Sequence, residues 1–295
     1  WGQDAVYFGW VWYSMNSYKL PEGNVQISFS GGRTSGYMLY KILESNNGLP
    51  DRAKVIFTNT GREMDLTLDF IQECSDKWWN VKIIWLEYDV DEGKIGFREV
   101  NHNSASRNGE PFEKLIASKQ VLPNVLMRYC TVELKIRTAK RYLRKNKWKN
   151  WFNLVGLRYD EQSRLNKKEK KDLFVNRYPM AEAKDTIEDV DNFWSKQNFK
   201  LNLPVVRGRT MYGNCDGCFL KSEDQLAMLA KEFPQRFDWW LQQEKNHTHR
   251  GDYGYFNHDR KLLGLKNIVD TQQDWVFDQQ GYFCQADGGD CTGWR

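Results

Sequence analysis

The sequence predicts an α/β fold: an open parallel sheet of the five-stranded type with helices on both faces, followed by a loop-rich, helical C-terminal region that carries cysteines. Three observations lead there. Short apolar runs alternate with amphipathic helical patterns as far as about Lys200. The first apolar run ends in a glycine turn that opens directly into a helix. From about Leu201 the regular alternation gives way to loops and a closely spaced cysteine pair. The expected organisation is an aromatic N-terminal extension over 1–24, an α/β domain over 25–200 and a cysteine-containing region over 201–295.

Taken in order, "NVQISFS" reads as a buried strand and "TSGYMLYKILES" as a helix whose apolar positions are Tyr37, Leu39, Tyr40, Ile42 and Leu43. "AKVIFTNTG" is a second strand ending in turn residues. "DLTLDFIQECSDKWW" is a second helix with Leu66, Leu68, Phe70, Ile71 and Cys74 on its apolar face, where Cys74 reads as a small core hydrophobe. "VKIIWLEYD" is a third strand, "TVELKIRTAKRYLRK" a helix and "WFNLVGLR" a fourth strand ending at Gly156. "RLNKKEKKDLF" is a charged loop, and "DTIEDVDNFWSKQ" is a helix opening on an Asp cap. Two more helical stretches are expected, around Phe233 to Gln243 and Arg260 to Leu265. Uninterrupted apolar strands of this kind suit a parallel sheet covered on both faces.

Composition sets outer bounds. A chain of 295 residues with 40% hydrophobic and 28% charged residues suits a globular protein with a real core. No run approaches the roughly 18 apolar residues of a membrane span. The aromatic opening "VYFGWVWYSM" is too short for one and lacks the basic stretch of a secretory signal, so a cytoplasmic setting is expected. The net charge of +4 is mild, but Lys135 to Lys171 holds 14 Lys and Arg against three acids. Such a stretch is either a solvated basic face or a surface for a phosphate-rich ligand, a nucleotide or a nucleic acid.

The turn Ser30–Ser35 has a use beyond reversing the chain. Glycines let the backbone approach an anion, and the following helix presents unpaired N–H groups and the positive end of its dipole. Ser30, Thr34 and Ser35 add hydroxyls and Arg33 a charge, with Gly31 and Gly32 forming the cradle. The pattern is neither G-x-G-x-x-G nor the longer P-loop. The six cysteines raise a second question. In a large chain without a signal, metal or redox work outranks a disulfide framework. The Cys215–Cys218 loop can aim two thiolates at one metal, with Cys130 as a third ligand and Cys284, beside apolar Tyr282 and Phe283, as the candidate fourth. Zinc takes four thiolates and so does a 4Fe–4S cluster; spacing does not separate them. His102, His247, His249 and His258 read as exposed loop residues, and the pairs Trp78–Trp79 and Trp239–Trp240 as packing residues.

Several stretches carry a family resemblance. "SFSGGRTS" resembles the S-G-G-x-D-S pyrophosphate loop of the adenine-nucleotide α-hydrolase superfamily. "VIFTNTGREMDLTLDFI", "RYCTVELKI", "LVGLRYDEQSR" and "GNCDGCFLK" resemble, in order, further segments of the phosphoadenosine phosphosulfate (PAPS) reductase family. The resemblance runs from Val25 to about Lys221. It implies a nucleotide site formed by Ser30, Gly31, Gly32, Arg33, Thr34, Ser35, Asn59, Thr60, Gly61, Gly156, Arg158 and Arg164, taking ATP, PAPS or adenosine phosphosulfate (APS). It implies that Lys135, Arg137, Arg158 and Arg164 line the phosphate or sulfate end, with Lys135 and Arg158 as catalytic candidates. It also implies that Cys130, Cys215, Cys218 and a fourth cysteine hold a 4Fe–4S cluster. Two departures stand out. Thr34 replaces a common Asp, so Mg2+ would find a weaker ligand there. The tail "GGDCTGWR" departs from the E-C-G-x-H of sulfonucleotide reductases, which weakens Cys291 as a catalytic nucleophile.

Two chemistries follow as expectations. Sulfonucleotide reduction would release sulfite and use a thiol or electron donor protein. ATP-dependent sulfur transfer would adenylate an acceptor, with nucleic acid among the candidates. The contrasting expectation is a non-catalytic nucleotide-sensing or nucleic-acid-associated subunit with a structural metal site.

Overall fold

The computed structural model describes residues 16–165, 172–206 and 209–271. Strand β1 (Val25–Ser28) leads into α1 (Arg33–Asn46), and β2 (Ala53–Asn59) leads into α2 (Asp65–Lys77). Next come β3 (Ile83–Asp91), β4 (Lys94–Val100) and α3 (Glu110–Lys119). A π-helix (Thr131–Arg137) runs straight into α4 (Thr138–Lys145). The domain continues with β5 (Trp151–Leu154), short α5 (Gln162–Leu165), β6 (Phe174–Arg177), short α6 (Pro179–Glu182) and α7 (Ile187–Ser195). Beyond it lie a two-stranded ribbon of β7 (Val205–Val206) and β8 (Arg209–Thr210), then α8 (Glu223–Glu232), α9 (Pro234–His247), a 3-10 segment and α10 (Leu262–Thr271).

The expected sheet is present with two additions. It has six strands in the order β4-β3-β2-β1-β5-β6, and β4 pairs antiparallel with β3, so the sheet is mixed. The sequence reading stops the third strand too early. The chain reverses at Glu92 and Gly93, both with positive φ, and pairs Asp91 with Lys94 in a tight hairpin. Because β4 is a half-exposed edge, "KIGFREV" carries no continuous apolar run to betray it. Strand β6 closes the opposite edge, parallel to β5.

Alternation along the central strands feeds two layers. Val25, Ile27, Val55 and Phe57 face a core built with α1, α2 and α7. Ile56, Ile84 and Leu86 face the other way, onto Ala139, Tyr142 and Leu143 of α4 and the indoles of Trp148 and Trp151. Helix α7 begins one residue later than its sequence suggests. Its cap is Thr186, which forms a capping box with Asp189, not Asp185. Asp185 instead accepts a hydrogen bond from the hydroxyl of buried Tyr18.

The C-terminal helices pack around one buried carboxylate. Glu244 of α9 accepts the backbone N–H groups of Phe256 at 3.2 Å and Leu262 at 2.9 Å, tying the chain beyond α9 to that helix. Burial outweighs these donors and nearby Lys261 and Arg260, and pushes its pKa up to about 7. Between pH 4.5 and 7 the folded state therefore keeps a proton that the unfolded chain has released. Stability should fall as pH rises through that window, by at most about 3 kcal/mol, and level off above it. Glu244→Gln should flatten that part of the profile, as read by urea unfolding at a series of pH values.

Candidate nucleotide and cysteine site

The carboxyl ends of β1, β2 and β5 meet at the turn Ser30–Ser35. Gly31 has φ of +75°, and a Cβ there would stand 2.7 Å from Ile71 and 2.8 Å from Thr67 of α2. Any side chain would push the loop off the helix that supports it. The loop is braced from within. Ser35 Oγ donates to the Gly32 carbonyl at 3.0 Å, so it accepts from the Ser30 backbone N–H at 3.2 Å and from the Ser30 hydroxyl at 3.0 Å. Gly32 offers α1 no capping side chain, and no acid stands in the first turn of the helix. A helix start without a side-chain cap is one that an anion can complete.

Charged groups gather beside the loop. Arg158 reaches Thr34 Oγ1 at 3.4 Å while its guanidinium forks onto Asp160 at 2.9 Å. Burial works against that charge, but the hydrogen bond to Asp160 and the field of Glu161 raise the guanidinium pKa overall. Glu161 also pairs with Arg164 and accepts the Arg158 N–H, so one carboxylate orients both arginines. Gly156 lies against the backbone of Ser35. Arg33 turns outward to Asp191 at 2.6 Å, and its carbonyl accepts the Trp194 indole N–H at 2.9 Å.

The turn after β2 is held rigidly. Buried Glu87, opposite Asn59 in the sheet register, accepts the Asn59 amide at 2.6 Å, the Ser106 N–H at 2.7 Å and Arg98 Nε at 2.7 Å. The Thr60 N–H and hydroxyl both donate to Glu63, at 2.9 and 2.8 Å. From Gly61 the chain enters Arg62, whose guanidinium is 3% exposed and pairs at 2.9 Å with Asp216, 0% exposed. Burial lowers the Arg62 pKa, and Asp216 partly restores it.

Asp216 is the middle of the Cys215–Cys218 loop. It accepts from Arg62, from Arg236 at 2.7 Å, from the Trp240 indole at 2.7 Å and from the Gly217 N–H at 2.8 Å. Gly217 is obligatory because a Cβ would meet the Trp240 ring at 2.4 Å. Buried Lys221 closes the loop by donating to the Gly213 carbonyl at 3.0 Å. A small pocket opens here, lined by Cys130, Cys215 and Cys218, by Thr60, Arg128 and Lys135, and by apolar Phe112, Leu134, Phe219 and Trp240. Cys130 caps the π-helix, whose widened turn is fixed by the Thr138 hydroxyl donating to the Glu133 carbonyl at 2.8 Å. Departures of this kind from α-helix often mark working sites.

Cys130 and the distant Cys215–Cys218 pair thus share one pocket with Thr60 of the second-strand turn. Cys284 and Cys291 lie outside the described residues. Arg137, expected at the phosphate end, is 54% exposed and pairs with Glu133 at 2.6 Å. His102 pairs with Asp69, and His258 with Asp252. Among the described residues no three His, Cys, Asp or Glu side chains come together tightly enough for one metal ion. Arg62, Glu87 and Asp216 escaped the sequence reading. The first and last stand directly beside motif residues, which is the only signal they carry.

The model of the phosphoadenosine phosphosulfate reductase domain matches residues 24–202, well over half of the 295. The chain belongs to this family. As a PAPS reductase family member it carries that family's nucleotide-binding domain. It is 28% identical over 214 residues to the uncharacterized nin region protein ORF290 of Escherichia phage lambda, covering 70% of this chain and 69% of that protein. Among solved structures it resembles the U34-tRNA thiolase NcsA from Methanococcus maripaludis with its 4Fe-4S cluster, at 13% identity and a TM-score of 0.36. That match covers 87% of this chain and 74% of the other. No helix among the described residues is long and apolar enough to cross a membrane.

Two outcomes are expected in this PAPS reductase family member. Gly31→Ala should cost roughly 1–3 kcal/mol in urea unfolding, because the residue must keep a left-handed backbone. Asp216→Ala should cost about 3–5 kcal/mol, since it strands the buried Arg62 charge.

Proposed function

We propose that the protein is a nucleotide-dependent sulfur enzyme that binds ATP or a sulfated adenosine nucleotide at Ser30–Ser35 and holds a 4Fe–4S cluster through Cys130, Cys215 and Cys218. The observation that carries this reading is the shared pocket of those cysteines, with Thr60 of the second-strand turn and Lys135 also lining it. The donor set fits the cluster: three thiols, a largely apolar wall, the cationic side chains of Arg128 and Lys135, and no carboxylate in the lining. When bound, the cluster would supply electrons or sulfur to the reacting centre. Cys284 is the proposed fourth ligand.

In this reading Gly31 and Gly32 cradle the phosphates at the α1 N-terminus, and Thr34, Arg158 and Arg164 bind the charged oxygens around them. The backbone of Asn59 and Gly61 flanks the adenosine, while the buried Thr60 side chain turns inward, away from it, to Glu63 and Cys215. Mg2+ would accompany the phosphates with Thr34 as a modest ligand. The reaction favoured is ATP-dependent sulfur transfer: an acceptor oxygen attacks the α-phosphorus, pyrophosphate leaves, and a sulfur nucleophile then displaces AMP. Sulfonucleotide reduction is the second form of the reading, and the tail around Cys291 speaks against it. A nucleic acid is the proposed acceptor class, because of the basic stretch after Lys135.

The test is anaerobic purification followed by incubation with ATP, PAPS and APS, measuring absorbance near 400 nm, AMP, pyrophosphate and sulfite together. A brown protein that releases pyrophosphate from ATP when an acceptor is present supports sulfur transfer. Sulfite release from PAPS that vanishes in Cys291→Ser selects reduction instead. Iron-free, colourless protein sinks the cluster, and ATP binding without turnover selects a sensor.

A further inference from the structure

The two halves of this site are mechanically joined through α2 and the turn before it. Gly31 of the phosphate loop rests on Thr67, in the opening turn of α2, and on Ile71. The N-cap of that helix, Met64, follows directly on the Asn59–Glu63 turn. On its other side the turn grips the cysteine loop. The Arg62 carbonyl accepts the Asp216 N–H at 2.9 Å, and the Arg62 guanidinium pairs with the Asp216 carboxylate. Arg236 spans the same junction, holding Asp216 at 2.7 Å and the Glu63 carbonyl at 3.3 Å. One contact reaches a cysteine directly: Thr60 Oγ1 lies 3.3 Å from Cys215 Sγ.

Thr60 has a single hydroxyl proton and two claimants for it. The oxygen stands 2.8 Å from Glu63 Oε2 and 3.3 Å from the Cys215 sulfur, and it also accepts the Arg62 N–H at 3.2 Å. Glu63 keeps the Thr60 backbone N–H at 2.9 Å whichever way the hydroxyl turns. The hydroxyl is therefore free to swing toward Cys215 without leaving the buried carboxylate bare.

We propose that Thr60 is a positioning residue through which nucleotide occupancy orders the Cys215–Cys218 loop. The inference rests on the nucleotide reading above. A nucleotide seated on Gly31 and against the Asn59–Gly61 turn fixes the turn, and the fixed turn fixes the cysteine loop through Thr60 and the Arg62–Asp216 pair. The coupling is reciprocal, so a filled cysteine pocket tightens nucleotide binding by the same factor. It involves rigidity more than displacement, because every link is already made in the structure.

Hydrogen exchange of the full chain with and without ATP tests this. The readout compares peptides covering residues 30–36 and 213–220. In the wild type, ATP should slow exchange in both, by about 5-fold or more at 213–220. Thr60→Val, which keeps the side-chain shape and removes the hydroxyl, should retain protection at 30–36 and drop it below about 2-fold at 213–220. Thr60→Ser should restore it. Protection at 30–36 with none at 213–220 in the wild type overturns the coupling and leaves the nucleotide reading standing. Equal protection in Thr60→Val and wild type also overturns it. Absence of protection at 30–36 overturns the nucleotide reading, and this inference with it.

Discussion

The buried pair between Arg62 and Asp216 is the constraint around which the functional half of the molecule is arranged. Withdrawing both charges from water is expensive, and the attraction between them rarely returns a large net stability. What the pair secures is place. Asp216 takes four donors from three segments, and Arg62 shares its donors between Asp216 and the Arg236 carbonyl while lying 4.7 Å from the Trp239 ring centre. A shift of the cysteine loop would leave several of these buried groups unsatisfied at once. The geometry at Cys215 and Cys218 is therefore tied to the turn after β2 and moves only with it.

A second support lies beneath the Ser30–Ser35 loop. Trp194, Trp78, Phe70 and Phe199 form a cluster of edge-to-face and tilted rings between α1, α2 and α7. Gly36 sits so close to Trp194 that a Cβ would come within 2.8 Å, and the Trp194 indole also holds the Arg33 carbonyl. The first turn of α1 is thus anchored by apolar packing from below and by a polar contact at its start. A rigid floor of this kind leaves the loop's outward N–H groups available to a ligand.

Legibility varied with burial. Strands β1, β2, β3 and β5 were visible because central parallel strands are apolar on both faces. The edge strands β4 and β6 were not, since a half-exposed edge mixes charges with single apolar residues. Helix α8 carried a sequence signal that went unused, the Ser222–Gln225 capping box. The widened π-turn after Cys130 has no sequence signature in this chain. It appears only where the helix is laid against β2 and β3.

By itself the sequence determined the α/β alternation, the glycine loop and the residue types available for phosphate and metal chemistry. These follow from local backbone preference and hydrophobic period, which are properties of neighbouring residues. Tertiary structure alone decided that Cys130 and the Cys215–Cys218 loop share a pocket with Thr60. It also decided that Arg62 meets Asp216 across 154 residues of chain. Both are contacts between distant segments, created when buried charges and thiols must find partners inside one core, and no local pattern encodes them.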